Sequence, residues 1–150
     1  MDKRSRVLIY TDASCDGNPG PGGFAAIIME GGFRKEIAGK IPHSTINRME
    51  LIAVIKGLHV VKPNSKVMVY TDSAYVEQAV NEGRLALWQQ NGWRRIRTGT
   101  EVLCKNDWLV LLEVIRIKRL NVQFRKIAAH KGHKINERVD FLARQAAKSA

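Results

Sequence analysis

Val7-Leu8-Ile9-Tyr10-Thr11-Asp12 is an apolar run of strand length that ends on a carboxylate, and Ala13-Ser14-Cys15-Asp16 leads at once into Gly17-Asn18-Pro19-Gly20-Pro21-Gly22-Gly23. Its β-branched and aromatic residues favour a strand over 6–12. Asn18 to Gly23 reads as a turn, because glycine admits positive φ and proline fixes it. A second apolar run, Phe24 to Glu30, follows, then Gly31-Gly32, then a third run from Phe33 to Ile41. Three strands joined by short glycine-rich turns predict a meander of antiparallel hairpins.

The first pattern returns further along the chain. Val67-Met68-Val69-Tyr70-Thr71 again ends on a carboxylate, Asp72, and Ser73 suits the N-cap of a helix to about Asn81. Between the two copies, Met49, Ile52, Ala53, Ile55 and Leu58 recur at helical spacing, which predicts a helix over about 46–61, stopping before Pro63. Residues 84–105 are polar, basic and aromatic, with room for a short helix. A helix is expected over 107–119, with Trp108, Leu111, Leu112 and Ile115 inward. A fifth strand is expected over 121–129 and a last helix from about Asn136 to Lys148. Three strands followed by helices alternating with strands predict an α/β fold: a five-stranded mixed sheet with an antiparallel hairpin edge, parallel strands beyond it, and helices on its faces. Asp12 and Asp72 then stand at the carboxyl ends of two strands, where open α/β sheets place ligands.

Acids are scarce in this chain: 14 Asp+Glu stand against 25 Lys+Arg, a formal net charge of +11. Four of them nevertheless sit in apolar company. Beside Asp12 and Asp72, Glu50 lies within Met49–Ile55 and Asp140 interrupts Val139-Asp140-Phe141-Leu142-Ala143. An acid taken out of water without a partner is costly unless it is paired or binds a metal. The positive balance points to a polyanion, because cations along a phosphate backbone gain by releasing its counterions. No basic amphipathic anchor and no apolar stretch of membrane-spanning length is evident, so nucleic acid is preferred to a membrane surface. Two cysteines, Cys15 and Cys104, make neither a Cys-x-x-Cys pair nor a disulfide framework, and reduced thiols in the cytoplasm are expected. The 150 residues suit a single domain, with 84–105 as a basic protrusion on it.

Four segments together resemble the type 1 ribonuclease H family of the bacterial kind. They are Thr11–Gly23, Asn47-Arg48-Met49-Glu50-Leu51, Thr71-Asp72-Ser73, and His130-Lys131-Gly132-His133 followed by Asn136, Glu137 and Asp140. Each is weak singly, but all four in family order over nearly the whole chain make a specific signal. The resemblance implies a ribonuclease H-like fold and an endonuclease that hydrolyses the RNA strand of RNA–DNA hybrids, leaving 5′-phosphate and 3′-hydroxyl ends. It implies Asp12, Glu50, Asp72 and Asp140 as metal ligands. All-oxygen ligation favours Mg²⁺, with Mn²⁺ as a substitute, over zinc. Two ions per site, with substrate bound, would activate water and stabilise the leaving oxygen.

The resemblance also implies a mobile histidine, His130, that assists proton transfer or product departure, whereas His133 is read as structural. Cys15, Asn18 and Glu50 become candidate readers of the RNA 2′-hydroxyls, and Thr45 and Asn47 match positions that contact the DNA strand. Arg84, Trp88, Trp93, Arg94, Arg95 and Arg97 form the candidate grip on the hybrid, with the tryptophans anchoring the segment and the arginines facing phosphate. Three positions depart from the family pattern: Ile46, His43 and Cys104, the last standing where an asparagine that holds a DNA phosphate is expected, with Asn106 nearby. They bear on the DNA-phosphate pocket and leave the carboxylates untouched. The expected state is a monomer with no obligate protein partner. The competing readings are another nuclease of the same fold, such as a junction resolvase, and a hybrid-binding module without catalysis. The complete acidic set argues against the second.

Overall fold

The computed structural model describes residues 6–127 and 133–150. Its elements run β1 (Arg6–Cys15), β2 (Gly20–Glu30), β3 (Phe33–Ser44), α1 (Ile46–His59), β4 (Lys66–Thr71), α2 (Ala74–Asn81), α3 (Arg84–Gln90), α4 (Lys105–Lys118), β5 (Asn121–Lys126) and α5 (Lys134–Lys148). The sheet order is β3-β2-β1-β4-β5. β1 pairs antiparallel with β2 and parallel with β4, β2 pairs antiparallel with β3, and β4 pairs parallel with β5. This is the expected five-stranded mixed sheet, with the hairpin at one edge and the parallel strands at the other.

Alternation along the strands decides the layers. Val7, Ile9, Val67, Val69 and Phe124 point to one face and are buried with Leu51, Val54, Leu58, Val76, Trp108 and Leu111 of the helices packed there. α5 covers the other face over β2, β1 and β3, where Ala25 and Ile27 meet Val139 and Ala143. Local chemistry fixes the helix starts. The Thr45 hydroxyl accepts the Arg48 amide (3.3 Å) ahead of α1, and the Ser73 hydroxyl accepts the Val76 amide (3.2 Å) ahead of α2. His133 Nδ1 accepts the Asn136 amide (3.1 Å) ahead of α5, a capping duty in line with its structural reading.

Of the boundaries that differ from the sequence reading, two lie near the ends of β1 and β5. The stretch from Gly20 to Gly23 is strand rather than turn: Gly22 and Gly23 pair with Cys15 and Ser14, so β1 runs on beyond Asp12. These glycines are there for close packing. A Cβ on Gly23 would lie 2.2 Å from the Ala143 carbonyl oxygen and 2.4 Å from the Ala147 nitrogen of α5. β5 ends at Lys126, where the expected strand ran to 129. The Ile127 amide still donates to the Thr71 carbonyl (2.8 Å), while 128 and 129 lie outside the described residues.

Candidate active site

The β1–β4 ladder ends at the Tyr10–Tyr70 pair, and two residues further along come Asp12, still in β1, and Asp72, just past the end of β4. Glu50 reaches the same spot from the second turn of α1, whose inner face is buried against the sheet. One carboxylate oxygen from each of Asp12, Glu50 and Asp72 lies within 4.8 Å of the others. Asp12 and Glu50 are each only 6% exposed and Asp72 is half-buried, so two of the three acids are largely shut off from water.

Burial and mutual repulsion dominate the electrostatics. Burial, then the charge of Asp72, pushes the Asp12 carboxyl up to about 8, although the Ala13 amide donates to its Oδ1 (2.8 Å). Burial, then Asp12 and Asp72, holds Glu50 well above the usual carboxylate range. Asp72 is raised chiefly by burial. A backbone hydrogen bond, its contact with Asp12 and the charge of Lys126 work the other way. Glu50 Oε2 is buried with no hydrogen-bond partner among the described residues. An all-oxygen cluster with one orphaned lone-pair-bearing atom fits a hard divalent cation, which supplies the missing partner and relieves the repulsion together.

Asp140 stands beside this trio but outside the 4.8 Å set. It adds charge that raises both Asp12 and Asp72, and its Oδ2 pairs with Arg144 at 2.7 Å. Arg144 escaped the sequence reading, although its i,i+4 spacing from Asp140 on a helix was visible. Lys126 escaped it too, because only the β4–β5 register, Thr71 opposite Lys126, brings it to Asp72. His130 lies outside the described residues.

The candidate contact residues surround the carboxylates with duties of their own. Asn18 Oδ1 accepts the Ile46 amide (3.1 Å), tying the Asp16–Pro19 turn to the first turn of α1. The Cys15 thiol donates to the Ser44 carbonyl (3.3 Å). The Thr45 hydroxyl caps α1, and Asn47 is half-exposed in the same turn. Arg48 Nε donates to Asp107 Oδ2 (3.2 Å) and joins α1 to α4 beside Cys104. Cys104 is the N-cap residue of α4, half-buried at φ 61°, whereas Asn106 is exposed. Along 84–105, Arg84, Arg95 and Arg97 are exposed. Arg94 is also exposed, but its guanidinium donates to the Gly99 carbonyl (2.8 Å) and so closes the loop. Trp88 and Trp93 pack on the main core, and Trp88 lies with its ring centre 5.9 Å from that of Trp108. In this segment half-buried tryptophans packed on the core lie beside exposed arginines.

Comparison with known proteins agrees with this architecture. The RNase H family model matches residues 4–148. The ribonuclease H of Syntrophomonas wolfei is 43% identical over 144 residues, 95% of this chain and 97% of that protein. Among solved structures, LC9-RNase H1, described as a type 1 RNase H with the type 2 active-site motif, superposes with a TM-score of 0.81 at 28% identity, over 97% of this chain and 74% of that one. LC11-RNase H1, solved in complex with RNA/DNA hybrid, shares the fold at a TM-score of 0.71 and 22% identity, over 95% of this chain and 97% of that one. With a family model spanning nearly every residue, and relatives above 40% identity over their own full length, the chain belongs to the RNase H family.

Proposed function

We propose that the protein is a metal-dependent endoribonuclease that hydrolyses the RNA strand of RNA–DNA hybrids to 5′-phosphate and 3′-hydroxyl ends. One observation carries the reading: two buried carboxylates, Asp12 and Glu50, and the half-buried Asp72 converge with an unpartnered oxygen on Glu50, in a chain with eleven more formal positive charges than negative ones. Such a pocket is expensive without cations and is surrounded by a surface made for phosphate.

Asp12, Glu50 and Asp72 would hold the ions, Mg²⁺ or Mn²⁺, with Asp140 completing the set once the hybrid is seated. Bound divalent cations lower the pKa of water and neutralise charge developing on the phosphodiester. The residues of the chain do the rest. The carboxylates would hold the cations at one fixed place, and so set where the phosphate is met. Low exposure at Asp12 and Glu50 keeps competing water out. His130 moves a proton at the departing group or helps the product leave. The turn carrying Asn18, with Cys15 and Glu50, meets the ribose 2′-hydroxyls, and Thr45 and Asn47 meet the DNA strand. Arg84, Arg95 and Arg97 meet phosphate, and Arg94 shapes the loop that presents them. Sequence preference is weak, because these contacts go to backbone and groove shape. The 150 residues act as one catalytic domain, a monomer needing no protein partner, in the cytoplasm where hybrids arise.

The deciding experiment is cleavage of end-labelled hybrid, duplex DNA and duplex RNA with Mg²⁺, Mn²⁺ or chelator. Hybrid alone should be cut, only with cation, leaving 5′-phosphate. Equal cleavage of duplex DNA would move the chain to the resolvase-like nucleases. Tight hybrid binding with no cleavage under any cation would make it a binding module.

A further inference from the structure

Among the described residues, one half of the sheet on the α5 side is left open. Tyr10 and Tyr70 stack on this face, ring centres 4.9 Å apart and 18° from parallel. The His133 ring lies 5.8 Å from Tyr10, which marks the face as the one α5 enters. Strand alternation and the β1–β4–β5 register then put Arg6, Leu8, Lys66, Met68, Gln123 and Arg125 on the same side. α5 packs over β2, β1 and β3, and among the described residues no element packs over β4 and β5 on this side. Arg6, Leu8, Gln123 and Arg125 are exposed, and Lys66, Met68 and Tyr70 are half-exposed. Several of these residues line a shallow depression of about 150 Å³.

The chemistry of this face is one-sided. From Tyr10 and Tyr70 back to the strand starts, the three strands place three cations here, Arg6, Lys66 and Arg125, and the acids stand only at the carboxylate end. Between them lie a stacked tyrosine pair and the apolar Leu8 and Met68. A cationic groove with aromatic and apolar platforms suits a flexible polyanion whose own rings can stack. A duplex hides its base faces and gains nothing from Tyr70. An acidic peptide would meet the cations but offers no run of rings. The face also leads straight to the carboxylates: Asp12 and Asp72 are the next same-side residues after Tyr10 and Tyr70, about 7 Å further along their strands.

We propose that the open β1–β4–β5 face is a binding surface for single-stranded nucleic acid, taking the unpaired extension of a strand whose duplex part sits at the carboxylate site. Arg6, Lys66 and Arg125 neutralise phosphates, and a base stacks on Tyr70. Stacking and phosphate contacts tolerate either sugar, so the surface takes RNA or DNA. This rests on the hydrolase reading only for the placement of the duplex part.

The test is affinity, measured in chelator so that nothing is cut. The probes are a blunt RNA–DNA hybrid and four partners, each with a 5′ or 3′ extension of about eight nucleotides on the RNA or the DNA strand, a length typical of one stacking groove. At least one extension should tighten binding about tenfold over the blunt hybrid, and which one does so names the strand. The gain should vanish in the double variant Lys66→Glu/Arg125→Glu and in Tyr70→Leu, and persist in Tyr70→Phe. Cleavage of blunt hybrid by the double variant should match that of the unaltered protein. No gain from any extension, or a gain that survives the double variant, overturns the proposal. Failure of the unaltered protein to cut blunt hybrid with cation would instead strike the hydrolase reading, since the extension gain is read without turnover.

Discussion

The carboxylate pocket and the basic segment at 84–105 are built on opposite principles. In the pocket, Asp12 and Glu50 are buried and held by β1 and α1, elements whose neighbours are core residues. In the basic segment, α3 has no buried residue, and a few apolar side chains, Leu85, Trp88, Trp93, Val102 and Cys104, tie the exposed cations to the core. Chemistry at phosphorus needs groups fixed to a fraction of an ångström, and fixing them costs the burial of charge. Grip on a polyanion needs only charge density at the surface, which exposed side chains supply without order. The first region should therefore fail abruptly when altered and the second by degrees.

The sharpest way to break this contrast is Asp72→Asn. Loss of a direct ligand should exceed the tenfold to hundredfold typical of outer-shell changes, so cleavage should fall more than about a hundredfold. Hybrid affinity measured in chelator should barely move. Turnover near that of the unaltered protein would defeat the metal assignment.

Acidity comes next. Asp12 keeps its proton in the folded chain up to about 8, far above an unfolded aspartate. Between about pH 4 and 8 the folded state thus binds the proton that the unfolded state has released, and stability falls as pH rises across that window. Denaturant midpoints in chelator should decline from pH 5 to 8, Asp12→Asn should flatten the decline, and Mg²⁺ should offset it by binding only the folded form. A midpoint that holds level in chelator would show that the acids are not crowded as described.

The basic segment should answer more gently. Arg94→Ala, Arg95→Ala and Arg97→Ala together should weaken hybrid binding about tenfold and lower the salt slope by roughly one for each phosphate left without its arginine, with kcat little changed. An unaltered slope would remove these arginines from the interface. The smallest effect separates anchor from grip. Trp88→Phe should cost about 1 kcal/mol of stability through poorer packing on Trp108, with hybrid affinity unchanged. A drop in affinity at undiminished stability would mean that Trp88 touches nucleic acid.

The two regions also differed in how far the sequence disclosed them. The aspartates were legible because each closes an apolar run in the sequence, and Glu50 because it sits at a helical position among apolar residues. Asp140 was legible as an acid in apolar company, but its pairing with Arg144 emerges only with side-chain placement. Gly20–Gly23 misled for a reason local to glycine. The same residue serves a turn or a strand that must admit another backbone, and only the path of α5 over Gly23 decides between them. Cys104 shows a further limit: a residue at φ 61° is set by how the preceding loop enters α4, which no periodicity records. Register was likewise out of reach, and with it the approach of Lys126 to Asp72.

The tie between Asn18 and the Ile46 amide has a mechanical consequence. It welds the tip of the first hairpin to the helix that carries Glu50 one turn later, so hairpin tip and acid form a single lever. A strand seated askew at the tip would tilt the lever and carry the glutamate oxygens off station. A correctly shaped strand leaves them where they are. One hydrogen bond thus couples the place of Glu50 to the fit of whatever meets the hairpin tip.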